Sequence, residues 1–202
     1  MSSAASPVPT RIGELASGHR ERIAELLAAT RVFNEEEIDV ALELFDDAFP
    51  RGTHGTTHGT THGTTHGTTD APPTSSSHAF LGAFTPEDQL VGYACYGPTP
   101  ETDRTCDLHW IAVDPRAQGT GGGTRLLTEV ERRLQGPNVR MLVVETSSRS
   151  DYATTRRFHE RRGHAEAARV RGFSAPGDDR IILTKRFQSF PSSPTGRGAV
   201  QQ

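Results

Sequence analysis

The chain has 202 residues, enough for one domain of ordinary size and too few for two comfortable ones. Its net charge of −3 and pI near 6.3 give no general attraction to nucleic acid or to anionic lipid. No apolar run approaches the roughly 18 residues that a membrane span needs. Residues 1–10 lack the apolar stretch of a signal peptide, so we expect a cytoplasmic protein.

The apolar residues are unevenly distributed along the chain. Leu, Ile, Val and Phe make up about 19 % of the sequence, which is low for a folded protein. Outside residues 1–9, 51–77 and 188–202 the fraction rises to about 24 %. We therefore predict one domain over residues 10–187, with a disordered lead at 1–9, a low-complexity insert at 51–77 and a disordered tail at 188–202.

The first predicted elements are a short strand and two helices. Residues 10–15 are expected to form the strand, and apolar residues recur at helical spacing over residues 18–29. Asn34 followed by Glu37 three residues later is the capping-box pattern, which predicts the start of the second helix.

The insert contains a four-residue repeat that places histidines at a constant spacing, namely His54, His58, His62 and His66. A His-rich tract of this kind can collect a zinc or nickel ion if the loop wraps around it. Gly and Thr, however, supply few hydrogen-bond partners to orient such ligands. We favour a tandem-repeat expansion in a surface loop, and we assign no metal site.

After the insert the pattern predicts a β-β-β-α-β-α-β-β order. The predicted strands are residues 78–84 and 89–97, which form a hairpin, then 105–113, 139–146, 165–173 and 180–187. The predicted helices are residues 121–134 and 151–162, the latter capped by Asp151 and stopped by Gly163. The apolar run at 141–144 is typical of a strand buried on both faces. Cys95 and Cys106 lie in strands, where we expect free, buried thiols.

A glycine-rich turn joins the strand at 105–113 to the next helix, and its glycines are Gly119, Gly121, Gly122 and Gly123. Without Cβ atoms, several backbone N–H groups can converge on one point beside a helix N-terminus. That arrangement is an anion site, most naturally for phosphate. The P-loop pattern is absent because Thr124 and Arg125 follow the last glycine, where a Lys is required, and the dinucleotide pattern lacks its final glycine.

The segment Gln118-x-x-Gly121-x-Gly123 resembles, at every position, the pyrophosphate loop of the GNAT superfamily of N-acetyltransferases. The order of predicted elements from residue 10 to residue 187 is also that of the superfamily. The resemblance implies an α/β (α+β) fold with a mixed central sheet of six to seven strands and four flanking helices. It also implies that the two central strands, 105–113 and 139–146, splay apart.

The resemblance implies acetyl-CoA as co-substrate, lying between the splayed strands. The backbone of Ile111, Ala112 and Val113 would pair with its pantetheine arm, and an N–H group near Ile111 would polarise the thioester carbonyl. The expected contacts of the pyrophosphate are Gln118, Gly119, Thr120, Gly121, Gly122, Gly123 and Thr124. Arg116 and Arg125 either approach the phosphates or remain solvated.

The implied activity is acetyl transfer to the amine of a small molecule or amino-acid-like acceptor, by direct attack on the thioester. We expect no nucleic-acid or membrane partner, and the sequence leaves open whether the chain forms a homodimer. The alternative function is a non-catalytic module of the same fold that binds an acyl-CoA.

Attack by an amine requires a base that removes a proton. Strand alternation places Asp107 and His109 on one face, opposite Leu108 and Trp110. Asp107 stands where histone-type members of the superfamily carry a basic carboxylate, so it is expected either to act as the base or to orient the amine. His109 and Glu145 are the other candidate bases.

The departing thiolate benefits from an acid, which in the family is a Tyr of the last helix. Here that segment reads Phe158-His159-Glu160-Arg161-Arg162-Gly163-His164, so His159 replaces the Tyr and His164 the final aromatic residue. A protonated His159 is one candidate acid, and a partly exposed helix residue is the other interpretation of that position. Tyr152, two turns earlier, offers a phenol as a fallback acid.

Overall fold

The computed structural model describes residues 10–50, 78–136 and 138–187. The predicted lead at 1–9, the histidine-repeat insert at 51–77 and the predicted tail at 188–202 lie outside these residues.

Within these ranges seven strands form one mixed sheet in the order β1-β2-β3-β4-β5-β7-β6. The strands are β1 (Arg11–Glu14), β2 (Ala79–Phe84), β3 (Leu90–Pro98), β4 (Thr105–Val113), β5 (Met141–Ser147), β6 (Ala165–Ala175) and β7 (Asp178–Arg186). The helices are α1 (Arg20–Thr30), α2 (Glu35–Ala48), α3 (Gly122–Leu134) and α4 (Ala153–Glu160). Neighbouring strands are antiparallel except β4 and β5, which run parallel. The predicted mixed sheet with four flanking helices is confirmed.

Each face of the sheet has its own hydrophobic cluster. Beneath α1 and α2 the cluster includes Ile23, Leu26, Leu27, Leu42 and Phe45. Beneath α3 it includes Leu126, Leu127, Val130 and Leu134, with Phe158 of α4 packed against it. The central strands β2 and β3 are buried on both faces, so they hold the two clusters together. The sheet is therefore covered on both sides at these central strands, whereas every residue of the edge strand β6 is exposed.

Helix α2 begins where the sequence predicts because Asn34 caps it. The Asn34 Oδ1 atom accepts a hydrogen bond from the Glu37 N–H at 2.8 Å. In return, Glu37 Oε2 accepts one from the Asn34 N–H at 2.9 Å. Both N–H groups would otherwise lack a partner at the helix start.

Replacing this cap tests how much it stabilises the domain. We expect Asn34→Ala to lower the free energy of unfolding by about 1 kcal/mol, since it removes the side-chain acceptor. Asn34→Ser is the matched control, because a hydroxyl can accept the same bond. Urea denaturation measures both variants, and equal stability of the Ala variant and the wild type would contradict the prediction.

Two predictions about local structure are wrong. Asp151 does not cap the last helix, because it lies in a 3-10 turn and its carboxylate accepts a hydrogen bond from Arg149 at 2.6 Å. The α-helix starts only at Ala153, has no side-chain cap and ends at Glu160. The strand β5 is fully buried on one face only, since Leu142 and Val144 are buried but their neighbours are half-buried. The reason is that α1 packs chiefly on β3 and β4.

Cys95 and Cys106 are free and buried, as expected. No helix in the ranges described is long and apolar enough to cross a membrane.

Candidate active site

Strands β4 and β5 are paired at one end only. Thr105, Cys106 and Asp107 pair with the first three residues of β5. Beyond Asp107 the two strands continue to Val113 and Ser147 without pairing to each other. The backbone of β4 that faces this gap has no strand partner, which leaves its polar groups free to bond something else. The predicted splay of the central strands is confirmed.

A groove of about 140 Å³ lies in this gap. Residues from β4, β5, the loop between α1 and α2, and α4 form its walls. The predicted site residues that line it are Ile111, Ala112, Val113, Gln118, His109, Glu145, Tyr152 and His159. Asp107 is not among them, because it lies at the closed end, where the strands are still paired.

A β-bulge at His109 changes which side chains of β4 share a face. Cys95 of β3 pairs with Trp110 and the next residue pairs with Leu108, so His109 has no partner on β3. Leu108 consequently packs in the cluster beneath α3, whereas Trp110 packs against the cluster beneath α1 and α2. The prediction that Leu108 and Trp110 share one face is wrong, because simple alternation assumes a strand without a bulge.

His109 is a neutral imidazole at the wall of the groove. Its ring centre lies 4.9 Å from that of His78. Partial burial and the neighbouring His78 lower the pKa of His109, and the nearby Asp107 carboxylate only partly opposes them. At neutral pH the ring is therefore unprotonated and able to accept a proton.

The loop after β4 is braced by a buried carboxylate. Asp114 is 4 % exposed and accepts hydrogen bonds from Arg22 Nη2 at 2.6 Å and from the Arg116 N–H at 2.9 Å. Burial alone would raise the pKa of Asp114, but these hydrogen bonds outweigh it and hold the pKa below its usual range. Arg22 also donates to the Leu90 carbonyl at 3.0 Å, so α1 ties the start of the loop to β3.

The rest of the loop leaves its N–H groups free. Gly119 and Gly121 adopt left-handed φ angles of 80° and 92°, which favour glycine. Gln118 Nε2 donates to the Val113 carbonyl at 3.2 Å and closes the loop. The N–H groups of residues 119–124 donate to no acceptor among the described residues. They lie at the N-terminus of α3, where the helix dipole favours an anion.

Comparison with known proteins points to one family. Residues 39–164 match the family model described as acetyltransferase (GNAT) family. The chain belongs to the GNAT acetyltransferase family. A solved GNAT-family protein from Desulfovibrio desulfuricans is 34 % identical, with 88 % of this chain and 99 % of that chain covered and a TM-score of 0.71.

Other solved acetyltransferases share the fold at low identity. The ribosomal-protein-S18-alanine N-acetyltransferase from Escherichia coli is 15 % identical, with 92 % of this chain and 98 % of that chain covered and a TM-score of 0.65. The protein yncA from Salmonella typhimurium, solved with its cofactor acetyl-CoA, is 16 % identical, with coverage of 93 % and 99 % and a TM-score of 0.64. No curated protein sequence matches the chain significantly.

His159, which the resemblance implies stands in place of the family's tyrosine, lies in a buried pair with His164. They are 0 % and 3 % exposed, their ring centres are 5.1 Å apart, and none of their ring nitrogens has a partner among the described residues. Burial is the main cause that lowers the pKa of His159 to about 3 and that of His164 to about 4. The interpretation of His159 as a partly exposed helix residue is wrong, because its side chain is buried. The same burial disfavours the protonated form that an acid at this position would need.

This pair makes stability depend on pH. Histidines in the unfolded chain have a pKa of about 6.5, so below that pH the unfolded chain binds protons, whereas the folded pair stays unprotonated down to about pH 4. The pair therefore does not destabilise the fold above pH 6.5. Below it, the free energy of unfolding falls by about 1.4 kcal/mol per pH unit for each histidine. Urea denaturation between pH 7 and pH 5 measures the slope, and His164→Phe should reduce it by about half of the pair's contribution. An unchanged slope would contradict this.

Tyr152 and Glu145 face the same groove. The Tyr152 hydroxyl donates to the Val32 carbonyl at 3.3 Å, and burial is the main cause that raises its pKa to about 12. It is thus a protonated hydrogen-bond donor at neutral pH. Glu145 is exposed, and its carboxylate lies 3.0 Å from Arg180 Nη1.

Arg162 reaches the loop from beyond α4, and no sequence pattern marks it. Its guanidinium donates to the Thr124 hydroxyl at the start of α3. A basic residue just after the last helix is uninformative by itself, because the contact depends on how α4 packs. In the part of the chain that the structure describes, no cluster of three or more His, Cys, Asp or Glu side chains is arranged to hold a metal.

Proposed function

We propose that the chain transfers the acetyl group of acetyl-CoA to the amine of a small-molecule or amino-acid-like acceptor. The observation that carries this proposal is the position of the gap between β4 and β5, directly before a loop whose N–H groups are free. The gap suits an extended thioester arm, and the loop suits its pyrophosphate. The GNAT protein yncA, solved with acetyl-CoA, supports this choice of co-substrate.

In this proposal the free edge of β4 from Ile111 to Val113 binds the pantetheine arm as an added strand would. The N–H groups of residues 119–124, with Gln118 closing the loop, bind the pyrophosphate. An N–H group near Ile111 polarises the thioester carbonyl as negative charge develops on its oxygen.

The amine loses its proton to a base in the groove. His109 suits this role because it lines the groove and is unprotonated at neutral pH. Asp107 lies close enough to raise the affinity of His109 for a proton, and we assign it that supporting role or the orientation of the amine. Glu145 is the remaining candidate, and its ion pair with Arg180 opposes proton uptake.

Tyr152 is the better donor to the departing thiolate. Its hydroxyl is protonated and lines the groove, where it can exchange the Val32 carbonyl for the sulfur. His159 lines the same wall, but burial disfavours the imidazolium form that would act as an acid, and a neutral imidazole N–H is a weaker acid than a phenol. We assign it to the shape of the groove.

Binding of acetyl-CoA can be tested through the loop. At a concentration of about 100 times Kd, acetyl-CoA should raise the Tm of the wild type by about 5–10 °C, because it binds only the folded loop. Gly121→Val should abolish this shift, since a branched side chain at a φ of 92° displaces the N–H groups. Differential scanning fluorimetry measures both.

The matched control is Gly177→Val. Gly177 has a similar φ of 86° but lies in the turn between β6 and β7, far along the chain from the loop. It should lose stability without losing the acetyl-CoA shift. If the wild type shows no shift, the proposed co-substrate is wrong.

The base can be identified by turnover with a panel of amines. His109→Ala should lower kcat by about 10²–10⁴ and leave the Kd of acetyl-CoA unchanged, as is usual for loss of a general base. The rate of the wild type should fall only below pH 6.5, because the pKa of His109 is lowered. A larger loss in Asp107→Asn would make Asp107 the base instead.

Tyr152→Phe and His159→Phe separate the two candidate donors. We expect the larger loss of kcat in Tyr152→Phe, by about 10-fold or more, since it removes a hydrogen bond to a developing charge. Acetyl-CoA binding without turnover of any amine would support the non-catalytic alternative.

A further inference from the structure

The N-terminus of α3 has a positively charged neighbour that comes from another helix. Arg162 donates through Nη2 to the Thr124 hydroxyl and through Nη1 to the Phe158 carbonyl at 2.9 Å. Its guanidinium carbon lies 3.8 Å from the centre of the Phe158 ring. These contacts hold the cation beside the first turn of α3.

Hydrophobic packing places Arg162 there. The Phe158 ring packs against the cluster beneath α3. A Cβ atom on Gly123 would lie 3.5 Å from this ring, so the ring rests directly against the glycine loop. Arg162 lies on the ring and is therefore positioned by the core.

Arg162 lies within ion-pair distance of no carboxylate in the described part of the chain, and its Nε atom is buried there without an acceptor. Burial lowers the pKa of its guanidinium, and the neighbouring Arg161 adds to this effect while Glu131 opposes it. A helix N-terminus also carries a partial positive charge. Two positive groups held side by side repel each other unless an anion lies between them.

The two arginines that the sequence marks near the loop are differently placed. The Arg116 side chain is 89 % exposed and extends from the loop into solvent. Arg125 donates through Nη1 to the Thr10 carbonyl at 3.0 Å, which ties it to the start of β1. Among these arginines, Arg162 alone hydrogen-bonds a side chain in the first turn of α3.

We propose that Arg162 binds the pyrophosphate of acetyl-CoA, on the side of the loop formed by Thr124. This inference rests on the proposed function. The loop N–H groups solvate the pyrophosphate, and the guanidinium neutralises part of its charge with a planar donor pair. The anion in turn separates the two positive groups.

The test compares two adjacent arginines. Isothermal titration calorimetry with acetyl-CoA should give a Kd about 10- to 100-fold weaker for Arg162→Met than for the wild type, the usual range for a hydrogen bond to a charged group. Arg161→Met is the matched control, because it removes the same charge one residue earlier at an exposed position. Its Kd should stay within about twofold of the wild type. Equal losses in both variants would show a general charge effect and overturn the proposal.

Shortened co-substrates identify the phosphate that is bound. Acetyl-dephospho-CoA keeps the pyrophosphate, so Arg162→Met should weaken its binding by the same factor. Acetyl-pantetheine has no phosphate, so its Kd should be unchanged by the substitution. A loss confined to acetyl-CoA would assign the contact to the 3′-phosphate, and a loss with acetyl-pantetheine would show structural damage. Either result overturns the assignment.

Arg162→Lys is a second variant that still tests the proposal if the Met variant misfolds. It keeps a point charge without the planar fork, so we expect an intermediate Kd. If the wild type binds acetyl-CoA and both Arg162 variants match it, this inference alone fails. If the wild type does not bind acetyl-CoA, the proposed function fails with it.

Discussion

The separation of β4 from β5 is the feature on which the rest of the site depends. Neighbouring parallel strands normally hydrogen-bond to each other along their length, and here that pairing stops after Asp107 and Val143. The sheet nevertheless stays in one piece, because β3 pairs with β4 along its length and β7 pairs with β5. The antiparallel pairs β3–β4 and β5–β7 thus hold β4 and β5 in the sheet although these two strands pair over only three residues.

The bulge at His109 belongs to the same region. His109 lies two residues after Asp107, the last position of β4 that pairs with β5, and the bulge reverses the side-chain alternation of β4. Leu108 and Ile111 then both pack toward the cluster beneath α3, while Trp110 packs toward the opposite face. The bulged His109 has no pairing partner on β3 and lies at the wall of the groove.

The site deals with its polar groups in three different ways. Asp114 is buried as an ion, which is tolerable because Arg22 and a backbone N–H hydrogen-bond it. His159 and His164 are buried without partners and remain neutral, since ionising them there would be far more costly. Arg162 keeps its charge with only neutral acceptors. Of these side chains, Arg162 therefore has an electrostatic reason to attract an anion, as does the N-terminus of α3 beside it.

The sequence by itself determined the order of the elements, the start of α2 and the glycine loop. These are local properties: Asn34 caps through a residue three positions away, and left-handed glycines shape a turn from within. The family likeness also followed from the loop, and with it the splay of the central strands. The tertiary structure alone decided the bulge at His109, the burial of His159 and the reach of Arg162. Each of these depends on the register of a neighbouring strand or the packing of another helix, and neither is encoded in the spacing of nearby residues.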